Sequence, residues 1–264
     1  MDLKQFFDDI GLGFTSFFKA FAFIFSNGLW HYYLYPLVLS IVFFFTLFAA
    51  KGMLTDYLQD LLFNAIGFEE TEEGVQGFLR TLTSGIIYWM VWGVSLVIFY
   101  RINKYLVLIV LSPVLSILSE RTEEILTGTK FKTSPEQVMR DAVRGTIVAL
   151  RNLALELSVI FLCFILSWII PFFGFLSPFI IFFVGAYFYG FSLMDYTCER
   201  NKMTISEGVK FIRNNKGIAV SNGGLFSLAF FFPFLGTIIA PITGVVGATL
   251  AVHEKHDLNK LHLG

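Results

Sequence analysis

The chain opens with apolar and polar positions that alternate at a helical period. Phenylalanines and one isoleucine recur at intervals of three or four residues, namely Phe6, Ile10, Phe14, Phe17, Phe21 and Phe25. Such a stripe predicts an amphipathic helix over residues 2–25. Because acidic and basic residues both occupy its polar side, we expect this helix to lie in a membrane interface as a fixed part of the fold.

Two long apolar segments follow this helix. Residues 29–50 would form a helix of about 33 Å, which is long enough to cross a hydrocarbon core of about 30 Å. Residues 86–118 would extend about 50 Å, so we expect that helix to tilt, to kink at Pro113 or to project from the membrane. An acidic connection, residues 51–84, separates the two segments and is predicted to carry a short surface helix.

An apolar block that contains proline and glycine occurs twice in the second half of the chain. In each block a proline is followed three residues later by a glycine and then by a second proline; the six residues are Pro171, Gly174, Pro178, Pro233, Gly236 and Pro241. Proline interrupts helical hydrogen bonding and glycine allows the chain to reverse, so each block predicts a helical hairpin with these residues as its breakers. Internal repetition of this kind is typical of membrane transporters.

The length of the hairpin arms predicts how they meet the membrane. Residues 155–170 and 218–232 precede the two breaks, and each would reach about 23 Å, which is less than the hydrocarbon thickness of about 30 Å. We therefore predict two re-entrant, hemi-penetrating hairpins, over residues 155–193 and 218–252, whose tips are enclosed by protein. Two complete, proline-kinked spans in each block are the alternative.

Composition places the chain in one class of protein. Of its 264 residues 56% are hydrophobic and 15% are charged, whereas soluble domains carry about 25% charged residues. The prediction is an all-α integral membrane protein with a single domain, residues 1–264. A net charge of −1 does not indicate a nucleic-acid partner. The sequence has no phosphate-binding loop, zinc-protease motif or nucleophile elbow, so we predict no enzymatic activity, no cofactor and no metal site.

Basic residues concentrate in two polar connections. Residues 120–154 and 195–216 together carry most of the lysines and arginines. The positive-inside rule predicts that both connections are cytoplasmic. Both chain termini then lie inside and residues 51–84 lie outside, in a multi-pass protein. Within the first connection, Ser134 and Pro135 predict the start of a helix.

Charged residues in and beside the second apolar segment are candidates for an ion pathway. Arg101, Lys104 and Glu120 recur on one side of the predicted helix. Charges at membrane depth usually face a bundle interior or a water-filled cavity, so these residues predict a pathway. Alternatively, Arg101 and Lys104 extend their charged ends to the membrane interface.

A basic stripe on the following helix offers a second part of the pathway. Arg140, Arg144 and Arg151 fall on one helical face. This face is either a solvated or headgroup-facing surface, or the lining of an anion route. A gate would be an ion pair between an acidic and a basic residue of this region, drawn from Glu120, Glu124, Arg121, Arg140 and Arg144.

Several of these features occur together, in the same order, in one known family. They are the run Leu111-Ser-Pro113-Val-Leu-Ser-Ile-Leu-Ser-Glu120-Arg-Thr-Glu-Glu124, the pair Thr127-Gly128, the arginine-bearing helix, the Ile-Pro-Phe-Phe-Gly hairpin and the closing segment Pro241 to Gly247. In these features the chain resembles the CysZ family of bacterial sulfate permeases and its eukaryotic relatives, the etoposide-induced proteins. The resemblance implies two transmembrane helices, hemi-penetrating hairpins, a homo-oligomer in the bacterial inner membrane and sulfate uptake for cysteine biosynthesis.

One position departs from the family pattern. The family's proposed sulfate-contacting motif, Gly-Leu-Arg, corresponds to Gly28, Leu29 and Trp30 here. Without the arginine, backbone N–H groups at the start of the helix could still hold an anion, because a helix N-terminus presents free donors and a positive dipole end. The predicted anion-binding residues are therefore Asn27, Gly28, Leu29 and Trp30.

These interpretations lead to one function and one rival. The first is a permease that passes sulfate, or a related oxyanion such as sulfite or thiosulfate, through a sheltered polar interior. The rival is a non-transporting scaffold whose amphipathic first helix and phenylalanine-rich hairpins shape or tether membrane. Sulfate flux into liposomes distinguishes the two.

Overall fold

A computed structural model describes residues 3–66, 75–130, 134–232 and 235–262. The regular elements in these ranges are all helical, which confirms the all-α part of the predicted fold class there. They are α1 (Leu3–Ser26), a 3-10 helix (Leu29–Tyr33), α2 (Leu34–Ile66), α3 (Val75–Val110), α4 (Ser112–Thr127), α5 (Pro135–Ile169), α6 (Phe173–Arg200), α7 (Ile205–Asn214), α8 (Lys216–Ala229) and α9 (Leu235–His262).

Several of these helices have the length and apolarity of membrane spans. Among the described residues, five segments meet both criteria. Four are in α1, α5, α6 and α9, and the fifth, Leu29–Leu61, combines the 3-10 helix with α2. A sixth candidate is the end of α3 together with α4, which are bent by 67° at the break between them. The chain divides into two compact units, residues 38–104 and residues 1–37 with 105–264.

The smaller unit contains most of α2 and α3. Gln59 donates a hydrogen bond from its side-chain amide to the backbone carbonyl of Ser84 at 3.4 Å, and the Arg80 guanidinium lies 5.1 Å from the centre of the Phe63 ring. The prediction of a separate surface helix after residue 50 is wrong, because α2 continues to Ile66. The reason is local: residues 51–66 contain acidic side chains but no proline that would stop the helix. The point at which this helix leaves the membrane stays a prediction.

The predicted long helix over residues 86–118 is two helices. It begins earlier, at Val75, and breaks at Leu111 with the bend of 67°. Pro113 lies in the first turn of α4. A backbone N–H there has no carbonyl partner within the helix, so the missing N–H of proline costs no helical hydrogen bond. The predicted kink at Pro113 is therefore confirmed, with the break placed directly before the Ser112-Pro113 pair.

The first proline block forms a helix-turn-helix. α5 ends at Ile169, the chain turns at Ile170–Phe172, and α6 begins at Phe173. The predicted cap at Ser134 is confirmed, since its hydroxyl accepts a hydrogen bond from the Gln137 N–H at 3.2 Å. The predicted first arm of the hairpin, residues 155–170, is not a separate helix, because α5 runs without a break from Pro135 to Ile169. At 35 residues, α5 is about 52 Å long, so its length alone does not require a re-entrant hairpin.

The second proline block has a shorter first arm. α8 has 14 residues and reaches about 21 Å, which is less than a hydrocarbon core of about 30 Å. A Cβ atom on Gly236 would stand 1.9 Å from the carbonyl oxygen of Ala229, so a glycine is needed for α9 to start this close to the end of α8. Pro233 lies outside the described residues. The depth that either hairpin reaches in the membrane stays a prediction.

Two of the predicted hairpin breakers do not break a helix. Pro178 lies inside α6 and Pro241 lies inside α9. Both are near the start of their helices, where few hydrogen bonds are lost. At Pro178 the carbonyl of Gly174 would lack its donor, and the Ser177 hydroxyl donates to it at 3.1 Å instead.

The larger unit is assembled around close contacts between helix backbones. α6 and α8 cross where a Cβ on Gly190 would lie 1.8 Å from the Ala219 carbonyl oxygen and a Cβ on Gly223 would lie 1.9 Å from that of Ala186. Such contact between small residues is a principal means of packing helices in a membrane.

The amphipathic helix α1 packs on α8 and α9, and its burial differs from the predicted pattern. Asp9, on the predicted polar side, is buried and pairs with Lys255 of α9 at 2.6 Å. Phe14 and Phe25, in the predicted apolar stripe, are exposed. Exposed rings of this kind suit a surface that faces lipid rather than water. The position of α1 in the membrane interface stays a prediction.

Candidate functional site

The last residue of α6, Arg200, joins three helices through buried charges. Its guanidinium lies 2.6 Å from the carboxylate of Glu120 on α4 and 2.9 Å from that of Asp141 on α5. It also donates to the backbone carbonyl and the hydroxyl of Ser116, and the same hydroxyl donates to Asp141 at 3.1 Å. The Arg200 side chain is only 3% exposed. We call Arg200, Glu120, Asp141 and Ser116 the Arg200 cluster.

The chemistry of the Arg200 cluster explains why these residue types meet. A guanidinium presents several donors in a planar fork, which suits two carboxylates at once. A buried guanidinium without a counter-charge would be strongly destabilising, so removing either carboxylate leaves an uncompensated charge. An oxyanion has the same charge and the same acceptor oxygens as a carboxylate. It would therefore have to compete with Glu120 and Asp141 for Arg200.

A second, partly buried arginine, Arg144, lies on α5 close to the start of α7. Arg144 makes a bidentate ion pair with Asp195 of α6, with donor–acceptor distances of 3.1 and 2.9 Å. It also donates to the backbone carbonyl of Met203, in the connection to α7. A Cβ on Gly208 would lie 3.2 Å from Arg144 Nη2, so α7 packs directly on this pair. The pair fixes α5, α6 and the connection to α7 together.

A buried carboxylate lies farther along α5, within its apolar part. Glu156 is 2% exposed, and it accepts hydrogen bonds from the hydroxyls of Tyr105 at 2.7 Å and Tyr189 at 3.2 Å. One helical turn earlier, Asn152 donates to the Ser192 hydroxyl at 2.9 Å and to the Phe188 carbonyl at 3.2 Å. Polar groups thus continue from the Arg200 cluster into the hairpin.

Hydroxyl groups form a second buried row. Thr249 of α9 lies 3.1 Å from the Ser119 hydroxyl and 3.2 Å from that of Thr197. Beside this row is a small, partly open cavity of about 90 Å³ whose lining includes Glu123 and His253. One carboxylate oxygen of Glu123 is buried and has no hydrogen-bond partner among the described residues.

The structure shows where the candidate gate residues lie, and their role as a gate stays a prediction. Arg121 pairs with Glu124 at 2.6 Å, as the prediction allows, but the Arg121 side chain is 59% exposed. Glu120 pairs with Arg200, and Arg144 pairs with Asp195; neither of these partners was among the candidates. Arg140 is exposed. Lys104 is buried, and the side chain of Arg101 lies outside the described part of the chain.

The predicted anion-binding turn is well formed. Gly28 has a φ of 71°, which places the chain in the left-handed region that favours glycine, and the 3-10 helix starts at the next residue. Asn27 uses its side-chain amide to donate to the Phe23 carbonyl at 2.8 Å, so this amide caps α1. Leu29 is buried and Trp30 is 54% exposed. The arrangement contains no side-chain cation of its own; anion binding there stays a prediction.

Sequence reasoning missed Arg200, Asp141, Asp195 and Glu156. Arg200 lies in the basic connection of residues 195–216, and nothing in its neighbourhood in the sequence distinguishes it from the other cations there. A usable signal existed for Asp195 and Glu156, since each is an acidic residue within an apolar run. An ionisable residue in such a place is a functional candidate by default.

The described helices have the number, length and apolarity of a helical, multi-pass membrane protein. The sequence profile of the family described as "Sulfate transporter CysZ/Etoposide-induced protein 2.4" matches residues 16–241. The chain belongs to this family, and the resemblance seen in its motifs is confirmed. A comparison with curated proteins finds no match.

Proposed function

We propose that the protein passes sulfate or a related small oxyanion across the bacterial cytoplasmic membrane and so feeds sulfur assimilation. Family membership supports this proposal. The observation that carries it is the series of charged and hydrogen-bonding groups enclosed between otherwise apolar helices. Asp141, Asn152 and Glu156 lie on one face of α5 and are all buried. Buried polar groups in a membrane protein are expensive and mark substrate or ion pathways.

The arginines of this series would act as gates. Arg144 and Arg200 are each held by carboxylates in the present conformation. A passing oxyanion would replace a carboxylate on the guanidinium, since both are anions that accept bidentate hydrogen bonds. The ion pair would close again once the anion had moved on. On this account the pairs are the closed state of the route.

The first contact with the anion would be at the turn of residues 27–30. The free N–H groups at the start of the 3-10 helix supply donors, and Arg121 of α4 supplies the charge that position 30 lacks. The Arg121 side chain is 59% exposed, so its guanidinium is accessible to an anion although it also pairs with Glu124. Arg121 would thus take the part that the arginine of the family motif plays elsewhere.

A sulfate binding isotherm on detergent-solubilised protein tests this contact. Arg121→Gln is expected to weaken sulfate binding about tenfold, which corresponds to the loss of one charge-assisted contact. Lys210→Gln is the control, because it removes an exposed cation of α7 that has no part in the proposed route. Competition with sulfite and thiosulfate identifies the preferred oxyanion. Equal affinity of the two variants would reject the role of Arg121.

One observation favours a second candidate function, the membrane scaffold. The tip of the first hairpin exposes large aromatic side chains: Trp168 is 87% exposed, and Phe172 and Phe175 are each 79% exposed. Aromatic rings at a hairpin tip could anchor membrane without transport. Labelled sulfate uptake by proteoliposomes separates the functions, because a scaffold would give no more flux than empty liposomes. The homo-oligomer belongs to the same proposal, and the mass of the protein in detergent tests it.

A further inference from the structure

A basic groove lies apart from the Arg200 cluster, where five helices meet. It has a volume of about 540 Å³ and is open to the surface. Its lining comes from α1, α5, α6, α7 and α8, and consists of Phe6, Arg151, Tyr187, Val209, Arg213, Lys216 and Val220. Three of these seven residues are cationic and the rest are aromatic or aliphatic. We call this site the basic groove.

The three cations of the groove are not neutralised by the protein. Among the described residues, Arg151, Arg213 and Lys216 form no ion pair with a carboxylate, in contrast to Arg144 and Arg200. Two of them lie against aromatic rings instead: Lys216 Nζ is 5.8 Å from the centre of Phe6, and Arg151 is 5.6 Å from the centre of Phe191. Ring faces hold a cation without cancelling its charge. The groove therefore presents an unmatched positive charge.

The position of Lys216 adds to this charge. Lys216 is the first residue of α8, where the helix dipole is positive and where a cationic side chain is unfavourable. A bound anion would remove this local repulsion. Tyr187 also lines the groove, and its hydroxyl could donate a further hydrogen bond.

The surroundings of the groove indicate a lipid rather than a free anion. Arg151 is the last cation of α5 before its apolar part, and Lys216 directly precedes the apolar part of α8. Both therefore mark the boundary between polar and apolar surface, the level of lipid headgroups in a membrane. Phe7, whose ring lies 5.7 Å from that of Phe6, is 65% exposed. It extends the aromatic wall of the groove outward, where acyl chains would lie.

We propose that the basic groove binds the phosphate headgroup of an acidic phospholipid. The three cations contact the phosphodiester, and the exposed aromatic side chains of α1 contact the acyl chains. Because the groove is built from five helices, the lipid would hold α1 and α7 against the hairpins. This site is distinct from the proposed oxyanion route, whose arginines are paired with carboxylates.

Native mass spectrometry of protein in mixed micelles tests the proposal, with phosphatidylglycerol and phosphatidylcholine of identical chains as probes. Each cation near an anionic lipid contributes a factor of roughly five in affinity, so the triple variant Arg151→Gln, Arg213→Gln, Lys216→Gln should bind phosphatidylglycerol on the order of a hundredfold more weakly. Phosphatidylcholine binding should be unchanged. The control is the triple variant Arg140→Gln, Lys202→Gln, Lys210→Gln, which removes three exposed cations elsewhere and should alter binding less than about twofold.

Three results would overturn the proposal. An equal loss of phosphatidylglycerol affinity in the control variant would show that only the overall charge of the protein matters. Equal binding of phosphatidylglycerol and phosphatidylcholine would show that the headgroup is not recognised. Displacement of phosphatidylglycerol by millimolar sulfate or phosphate, with the same dependence on the three cations, would assign the groove to free oxyanions. The failure of sulfate transport in proteoliposomes would leave the lipid result unaffected. Size-exclusion chromatography of each variant establishes that it is folded.

Discussion

The Arg200 guanidinium lies 2.6 Å from the Glu120 carboxylate, although the two residues are 80 positions apart in the sequence. This contact brings the end of α6 to the middle of α4, and Asp141 brings α5 to the same point. Three helices of the larger unit are therefore held together by one buried cation. Loss of this cation should therefore weaken the packing of all three helices.

The stability of the protein should depend strongly on Arg200. Arg200→Gln leaves Glu120 and Asp141 buried without their counter-charge, and we expect the free energy of unfolding to fall by about 3–5 kcal/mol. Denaturant unfolding in detergent micelles measures this change. Arg121→Gln is the control, because it breaks an ion pair whose arginine is 59% exposed and should cost less than about 1 kcal/mol. Similar losses in both variants would contradict the structure.

The crossing of α6 and α8 should not tolerate a methyl group. Gly223→Ala would place a Cβ 1.9 Å from the Ala186 carbonyl oxygen, so the helices would have to separate. Gly224→Ala is a closely matched control, since its Cβ would be 3.9 Å from the nearest atom, the Ala186 Cβ. We expect Gly223→Ala to abolish folding or lower the melting temperature strongly. Gly224→Ala should be neutral or stabilising by up to about 1 kcal/mol, because alanine favours a helix.

The two tyrosines that donate to Glu156 should contribute unequally. Tyr105 donates at 2.7 Å and Tyr189 at 3.2 Å, so the first hydrogen bond is the stronger. Tyr105→Phe should lower the free energy of unfolding by about 1.5–3 kcal/mol, and Tyr189→Phe should lower it by less. Unfolding curves of the two variants, recorded under the same conditions, make the comparison. A larger effect at Tyr189 would show that the distances do not reflect the energetics.

The start of α7 should respond to acid. The backbone N–H and the hydroxyl of Thr204 donate to Glu207 at 2.7 and 2.8 Å, and these hydrogen bonds hold the pKa of Glu207 below its ordinary value. A lowered pKa means that the stabilisation is present above the ordinary pKa of about 4.3 and is lost as the pH falls through the folded-state pKa. Glu207→Gln should thus weaken hydrogen-exchange protection in α7 at neutral pH.

The control is the same comparison of hydrogen-exchange protection between the wild type and Glu207→Gln in acid. At a pH well below the ordinary pKa, Glu207 is protonated in both the folded and unfolded states, so the wild type and Glu207→Gln should exchange alike. A difference that persists in acid would mean that the carboxylate charge is not what caps α7.

The features that could be predicted from the sequence are those set by local chemistry. Ser134 begins α5 and Pro113 marks a bend because a cap and a proline act on their own helical turn. The turn at Pro171 follows for the same reason. The extension of α2 could not be predicted in this way, because acidic residues after an apolar run suggest a loop. A helix continues through such residues as long as no proline interrupts it.

The features that could not be predicted are those set by packing. Arg144 and Arg200 each had several acidic residues as possible partners, and only the arrangement of α4, α5 and α6 selects Asp195, Glu120 and Asp141. The basic groove likewise combines five helices. Family membership depends on motifs in order along the chain, and so it could be inferred from the sequence alone.

The most direct test of the account is the initial rate of labelled sulfate uptake by proteoliposomes, for the wild type and for Arg144→Gln, Asp195→Asn. This double variant removes both charges of a gating pair and keeps a polar, hydrogen-bonding side chain at each position. The account predicts saturable uptake by the wild type above that of empty liposomes, and a rate at least about tenfold lower in a folded double variant. No uptake by the wild type, or equal uptake by both proteins, would contradict it.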